Sequence, residues 1–149
     1  MRLMALDIGD RRIGVAVSDP SKTLATSLQV VRRRSDEADV SAIASLVEEY
    51  DVEKIIVGHP LQMDGTAGEQ ARRVEAYAER LREAVRVPII LRDEGFSTVR
   101  AREMMIEAGT KQKDRRTRID AVAAAVILQD YLDSLREEKA RVPWEETTR

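Results

Sequence analysis

The first third of the chain consists of short apolar runs followed by one amphipathic segment. Residues 2–7 and 12–18 are apolar runs joined by a short turn that contains glycine, which predicts a β-hairpin. Residues 25–32 predict a third strand. A helix is predicted over residues 36–50, because apolar residues recur there at helical spacing behind a capping Ser35.

The rest of the chain alternates predicted strands with predicted helices. Residues 54–57, in which an apolar run follows Lys54, predict a short strand, and the segment from Thr66 to Glu69 has the spacing of a capping box that opens a helix. The elements predicted after that helix are the buried strand VPIIL, which ends before Asp93 and Glu94, a helix from Ser97 or Thr98 to Gly109, and a final helix over residues 118–137.

This order of elements predicts an α/β fold. A hairpin unit followed by alternating strands and helices implies a mixed sheet with helices on its faces. The chain contains neither an internal repeat nor a linker, so we predict a single domain over residues 1–137. Residues 138–149 are rich in charge and are predicted to be a flexible tail.

Composition narrows the classes of function. The absence of cysteine excludes disulfides, thiolate metal sites and a cysteine nucleophile. A formal net charge of −2 argues against a polybasic protein, and an aromatic content of 3% argues against base-stacking platforms. The sequence shows no secretion signal and no apolar run that would span a bilayer, which predicts a cytoplasmic protein with no membrane partner.

Three acidic residues stand at the ends of predicted elements. Asp7 ends the first strand, Glu94 follows the last strand, and Asp120 opens the final helix. Residues just past the carboxyl ends of parallel strands collect at one edge of a sheet, and three carboxylates there repel one another unless a cation joins them. Oxygen ligands in a chain with no cysteine and one histidine favour Mg²⁺ or Mn²⁺. Such a site would activate water for phosphodiester cleavage.

Each acid also has a purely structural interpretation. Asp7 can satisfy backbone donors in a turn, and Glu94 can be an exposed loop acid. Asp120 follows Thr117 at capping-box spacing and can simply cap its helix. Spacing alone leaves these alternatives open.

A basic segment, TKQKDRRTR, precedes Asp120 and holds five basic residues. A basic loop beside a metal site attracts a phosphate backbone, whereas the alternative is an ordinary solvated loop. Phosphate contacts carry no sequence information, so we expect recognition of the shape of the nucleic acid. The predicted substrate contacts are Arg12, Arg100, Lys111, Lys113, Arg115 and Arg116.

Four segments resemble a known family in their order and spacing. They are DIGDRRIGVAVSDP, VGHPLQMDGTAGEQA, DEGFST and IDAVAAAVILQDYL, and together they resemble the YqgF/RuvX family over about residues 1–135. That family consists of small bacterial proteins with an RNase H-like (RuvC-like) fold. The resemblance therefore implies a mixed five-stranded sheet with helices on both faces.

The resemblance also implies a nuclease. Members of the family are described as Holliday junction resolvases and as nucleases that mature the 5′ end of pre-16S rRNA. The acids of the family fall on Asp7, Glu94 and Asp120, which are therefore the implied catalytic residues and metal ligands. The expected function is a Mg²⁺- or Mn²⁺-dependent endonuclease acting on structured RNA or branched DNA.

The chain departs from the family pattern at two positions. Gly95 stands where a basic residue is usual, and His59 stands where an aliphatic residue is usual. In addition, RNase H-like strand order places the strand before Glu94 two positions from the strand of Asp7. Glu94 must therefore reach back toward the centre of the sheet.

Two other functions fit parts of the sequence. The first is a nucleic-acid-binding or scaffold protein on the same fold that does not cleave. The second is an ATPase of the actin/sugar-kinase type, which begins with a similar strand–turn–strand but needs two domains, whereas 149 residues hold one. A junction resolvase would also act as a homodimer, because it makes two symmetric cuts, whereas trimming an RNA end needs no dimer.

Overall fold

The computed structural model describes residues 1–60, 68–93 and 122–138. The described strands are β1 (Arg2–Ile8), β2 (Arg12–Ser18), β3 (Ala25–Arg32), β4 (Val52–His59) and β5 (Ile89–Asp93). The described helices are α1 (Asp36–Glu49), α2 (Glu69–Ala84) and a third helix over residues 122–138, here called α3. The helix predicted from residues 97 or 98 to 109 lies outside the described residues, as do residues 139–149 of the predicted tail.

The five strands form one mixed sheet in the order β3-β2-β1-β4-β5. β1 pairs antiparallel with β2, and β2 pairs antiparallel with β3. β1 pairs parallel with β4, which in turn pairs parallel with β5. The mixed five-stranded sheet predicted from the sequence is confirmed, and β5 lies two positions from β1, as RNase H-like strand order requires.

Helices cover both faces of the sheet, because alternate residues of each strand point to opposite faces. In β1, Met4, Leu6 and Ile8 belong to the apolar core that includes residues of α1 and α2. Leu3 and Ala5 belong to a second core with residues of α3. β1 is therefore buried on both faces at the centre of the sheet.

The helices α1 and α2 begin differently. Ser35 caps α1, and its hydroxyl accepts a hydrogen bond from the Ala38 N–H, as predicted. The N-cap of α2 is Gly68, and no side chain caps that end. The predicted capping box from Thr66 to Glu69 is therefore wrong, because Glu69 is the first residue of α2 and not its third.

A buried carboxylate links the β1–β2 turn to the helices of one face. Asp39 of α1 is only 2% exposed and lies 3.1 Å from the Nε of Arg33. Arg33 also forms an ion pair with Asp36, donates a hydrogen bond to the Gly9 carbonyl at 3.0 Å and lies over the Tyr77 ring of α2. One guanidinium therefore holds together the turn, α1 and α2.

Tyr77 packs at the same junction. Burial of the phenol raises its pKa above the usual range, and the nearby charge of Asp39 raises it further. Because Asp39 is buried, solvent weakens its attraction to Arg33 less than it weakens the attraction between Arg33 and the more exposed Asp36.

The β1–β2 turn itself is tight. The N–H of Gly9 donates a hydrogen bond to the Arg12 carbonyl at 2.9 Å. A Cβ atom added at Gly9 would lie 2.9 Å from that same carbonyl oxygen. Glycine is required at this position because the two backbone segments approach closely.

Among residues 1–60, 68–93 and 122–138, no helix has the length and hydropathy that crossing a lipid bilayer requires.

We expect Asp39→Ala to lower the free energy of unfolding by about 2–3 kcal/mol, because Arg33 and the Arg34 N–H, which donates to Asp39 at 3.0 Å, lose a buried acceptor. Urea denaturation measures the change. The matched control is Glu37→Ala, an exposed acid in the same helical turn, which should change stability by less than about 1 kcal/mol. Equal effects of the two substitutions would contradict a special role for the buried pair.

We expect Gly9→Ala to lower the free energy of unfolding by about 1–3 kcal/mol, because its Cβ would press on the Arg12 carbonyl. Thermal unfolding followed by circular dichroism measures the loss. Asp10→Ala is the control at the adjacent position, since the Asp10 side chain is exposed and its ion pair with Arg73 is a surface pair worth less than about 1 kcal/mol. A Gly9→Ala protein as stable as wild type would show that the turn can open to accept a side chain.

Candidate active site

Asp7 lies inside β1, one residue before the strand ends, and is half-buried. It follows Leu3 and Ala5 at a spacing of two residues, so it projects from the sheet face that α3 covers. Asp7 pairs across the sheet with Gly14 of β2. The acid is therefore part of the strand ladder and does not lie in the turn that follows.

Glycine stands beside Asp7 in both neighbouring strands. Gly14 is its partner in β2, and Gly58 of β4 is level with it because the preceding residues, Leu6 and Val57, are paired. No side chain from an adjacent strand therefore stands next to the Asp7 carboxylate on this face. The sequence contains both glycines, but their position beside Asp7 emerges only from the strand register.

The carboxyl ends of the three parallel strands meet at the rim of the sheet that holds Asp7. His59, the last residue of β4, pairs with Asp93, the last residue of β5. The backbone leaves β5 toward residue 94 at this same rim, about 10 Å from β1 across two strand spacings.

Most of the predicted site residues fall outside the described part of the chain. Asp7 and Arg12 are described, and the structure places both on the same rim. Within residues 1–60, 68–93 and 122–138, no group of three histidine or acidic side chains is arranged to hold a metal ion. The predicted site residues that lie outside the described residues are Glu94, Arg100, Lys111, Lys113, Arg115, Arg116 and Asp120.

The direction of α3 bears on the placement of its first residues. Near its centre, Tyr131 lies beside Lys54, which pairs with Leu3 at the start of β1. On either side of Tyr131, Gln129 and Arg136 donate hydrogen bonds to the Thr23 carbonyl, just before β3. The second half of α3 therefore lies near the amino end of β1, and Ala124, earlier in the helix, packs in the core with Leu3 and Ala5.

His59 belongs to the opposite face of the sheet. It alternates with Val57, whose side chain is in the core with α1 and α2. The His59 Nε2 lies 3.2 Å from the Oε1 of Glu75 on α2. This histidine joins β4 to α2 and does not project from the face that carries Asp7.

Arg12 projects from the face of Asp7, because it precedes Gly14 by two residues. Its cross-strand partner is Arg32 of β3, a residue that the sequence analysis did not select. The available signal was a run of three arginines, residues 32–34, at the end of the third strand.

Asp10 in the β1–β2 turn forms an ion pair with a residue of α2. It lies 3.3 Å from Arg73, whose pKa is raised chiefly by a hydrogen bond to Glu69 and further by Asp10. The exposed carboxylate of this turn is thus partly neutralised by a residue outside the sheet.

Comparison with known proteins gives one family. A family model described as RuvX, Holliday junction resolvase, matches residues 1–134. A relative from Desulforamulus reducens is 48% identical over 134 residues, which cover 90% of this chain and 98% of the relative, and it carries the name "Putative pre-16S rRNA nuclease". A relative of the same name from Syntrophus aciditrophicus is 45% identical over 139 residues, covering 93% of each protein.

Solved structures share the fold at low sequence identity. The RuvC protein of Thermus thermophilus in complex with a Holliday junction matches with a TM-score of 0.53 and 18% identity over 91% of this chain and 96% of that one. The fowlpox virus resolvase in complex with Holliday junction DNA matches with a TM-score of 0.53 and 14% identity, over 91% of this chain and 99% of that one. These matches confirm the predicted RNase H-like (RuvC-like) fold.

The family predicted from four sequence segments is confirmed, and so is the predicted class of activity, since the family and its relatives are named as resolvases and nucleases. The match over residues 1–134, with relatives nearly half identical across nine tenths of the chain, shows that this protein belongs to the RuvX family of RNase H-like nucleases.

Proposed function

We propose that this protein is a metal-dependent endonuclease that hydrolyses phosphodiester bonds of structured nucleic acid. The observation that supports it best is the position of Asp7. The carboxylate is half-buried on the central strand, at the rim where three parallel strands end, between two positions occupied by glycine. In open α/β sheets this rim is where ligands bind.

The proposed substrates follow the names of the relatives. The curated relatives are named for pre-16S rRNA, and the family model is described by Holliday junctions. We propose processing of the 5′ end of pre-16S rRNA in the cytoplasm, as a step of ribosome biogenesis, and include resolution of branched DNA as a second substrate. The junction reaction needs a homodimer because it requires paired symmetric cuts.

The proposed catalytic residues and metal ligands are Asp7, Glu94 and Asp120, with Mg²⁺ or Mn²⁺ as the cation. Asp7 supplies the hard oxygen donor that such cations prefer, and the chain offers no thiolate as a competing ligand. When bound, the cation would supply an activated water and neutralise charge on the phosphate. The strand ladder holds the carboxylate of Asp7 on the face of α3, and the two neighbouring glycines add no side chain beside it.

The other residues of the proposed site would bind phosphate groups of the substrate. Arg12 lies on the face of Asp7 and can contact a phosphate beside it. The other proposed phosphate contacts are Arg100, Lys111, Lys113, Arg115 and Arg116, which we assign from their charge and from their place in the sequence before Asp120.

We expect Asp7→Asn, Glu94→Gln and Asp120→Asn each to reduce cleavage to below about 1% of wild type, because each removes one ligand charge from the metal site. Cleavage is measured with Mg²⁺ or Mn²⁺ on a four-way DNA junction and on a pre-rRNA 5′ leader. Without metal, the melting temperature of Asp7→Asn should equal or exceed that of wild type, because one member of a repelling group loses its charge.

The matched control is Asp51→Asn, which removes an exposed carboxylate just before β4, at the opposite rim of the sheet. Asp51 has a positive φ of 52°, a conformation that asparagine also adopts readily. Asp51→Asn should cleave as wild type does.

Normal cleavage by Asp120→Asn with lower helix stability would make Asp120 a helix cap. A wild-type protein that neither cleaves nor binds divalent metal in calorimetry more tightly than Asp7→Asn would be a binding protein instead.

We expect joint substitution of Lys111, Lys113, Arg115 and Arg116 by glutamine to weaken nucleic-acid binding and to reduce the slope of log affinity against log salt by up to about 3, since each lost phosphate contact removes about 0.7–0.9 of slope. Fluorescence anisotropy between low and moderate salt measures both quantities. An unchanged slope would remove this basic segment from the substrate site.

A further inference from the structure

Four arginines come together at the rim on the β3 side of Asp7. Arg11 and Arg12 lie at the β1–β2 turn and the start of β2, and Arg32 and Arg34 lie at the end of β3 and just after it. Arg12 and Arg32 are direct partners across the two strands. The N–H of Arg33 donates to the Arg11 carbonyl at 2.8 Å, which places Arg11 beside the residues that follow β3. We call these four residues the arginine cluster.

Two of the four arginines share the face of Asp7. Arg12 precedes Gly14 by two residues, and Gly14 is the partner of Asp7. Arg32 lies opposite Arg12, and residues paired across strands project from the same face. The next residue gives an independent check, since the contacts of Arg33 with Asp39 and Tyr77 place it on the opposite face.

The arginine cluster lies close to Asp7 on the sheet. Asp7 and Arg32 are separated by two strand spacings across the sheet and by two residues along it, which gives about 12 Å between their Cα atoms. A long arginine side chain spans part of this distance. β3 is the last strand on that side, so the path from Asp7 across β2 ends at an edge of the described sheet.

Three carboxylates near the cluster form ion pairs with arginines that are not part of it. Asp10 pairs with Arg73, and Asp36 pairs with both Arg33 and Arg80. Asp39 pairs with Arg33. Glu37, in the first turn of α1, is an exposed acid for which the described residues show no such pair.

Three members of the cluster carry their charge at an exposed surface. Arg11, Arg32 and Arg34 are exposed, and the described part of the chain offers their side chains no ion-pair partner. A polyanion laid along these three arginines would supply the counter-charge, and the planar guanidinium group matches phosphate geometry.

We propose that the arginine cluster binds the phosphodiester backbone of the substrate strand as it leads away from Asp7, crossing β2 and leaving at the edge of β3. This assignment rests on the proposed function and extends it, because it gives the path of the nucleic acid on the side of the site opposite β5. The contacts are to phosphates, so the cluster positions the strand without reading its sequence.

The test compares Arg32→Gln with Arg86→Gln. Arg86 is exposed in the connection between α2 and β5, at the amino-end rim of the sheet, so the two variants change net charge equally at opposite ends of the molecule. Binding of the full chain to a four-way DNA junction and to a pre-rRNA leader is measured by anisotropy across a salt series without divalent metal. Arg32→Gln should lower the salt slope by about 1 and weaken binding at low salt roughly threefold to tenfold, whereas Arg86→Gln should leave the slope unchanged.

Two further variants sharpen the result. Arg32→Lys keeps the charge and should retain the slope, which separates phosphate binding from a packing defect. The double variant Arg11→Gln, Arg34→Gln should lower the slope further, with a melting temperature close to that of wild type. Equal slopes for Arg32→Gln and Arg86→Gln would overturn the proposal.

The outcome is separate from that of the nuclease assay. A lower slope for Arg32→Gln in a protein that never cleaves would support the path and reject the endonuclease. Cleavage that depends on Asp7 with a slope insensitive to Arg32 would reject the arginine cluster and support the endonuclease. A slope change with the junction alone, or with the RNA alone, would support the path and identify the nucleic acid that follows it.

Discussion

The register of β1 between β2 and β4 is the constraint on which the site depends. Met4, Ala5 and Leu6 are fully buried, with side chains on both faces of the sheet. A slip of one residue would exchange the two faces of the strand, burying Asp7 in the core of α1 and α2. The free energy of two apolar cores therefore opposes a one-residue slip, which would turn this carboxylate away from α3.

The same constraint determines the surroundings of the acid. Once Asp7 pairs with Gly14, the residues two places away on the same face, including Arg12, follow by alternation. The parallel ladder brings Gly58 to the other side. A carboxylate with glycine on both flanks and arginine close by thus results from strand pairing, and it needs no loop to position it.

Sequence periodicity predicted the strands well because β1 and β2 carry continuous apolar runs and β3 follows a recognisable turn. It missed the start of α2, because Gly68 serves as a cap without a side-chain hydrogen bond and so leaves no polar signature. It selected Arg12 but not Arg32, since only the pairing of β2 with β3 brings the two together. The buried ion pair of Arg33 and Asp39 could not be predicted from the sequence either. Its members are six positions apart in the chain, and charged residues are rarely buried.

That buried pair explains how a chain with a net charge of −2 can bind a polyanion. Arg33 neutralises two acids of α1, and Arg73 neutralises the acid of the turn, so the carboxylates at this rim are compensated within the protein. The Cα atoms of Asp7 and Arg32 lie roughly 12 Å apart, which is longer than the screening length of about 8 Å at physiological salt. In the proposed path, Arg32 therefore contacts a phosphate at one position of the strand while the proposed cation at Asp7 acts at another. The excess of arginine at the edge of β3 would attract the backbone without depending on the charge of Asp7.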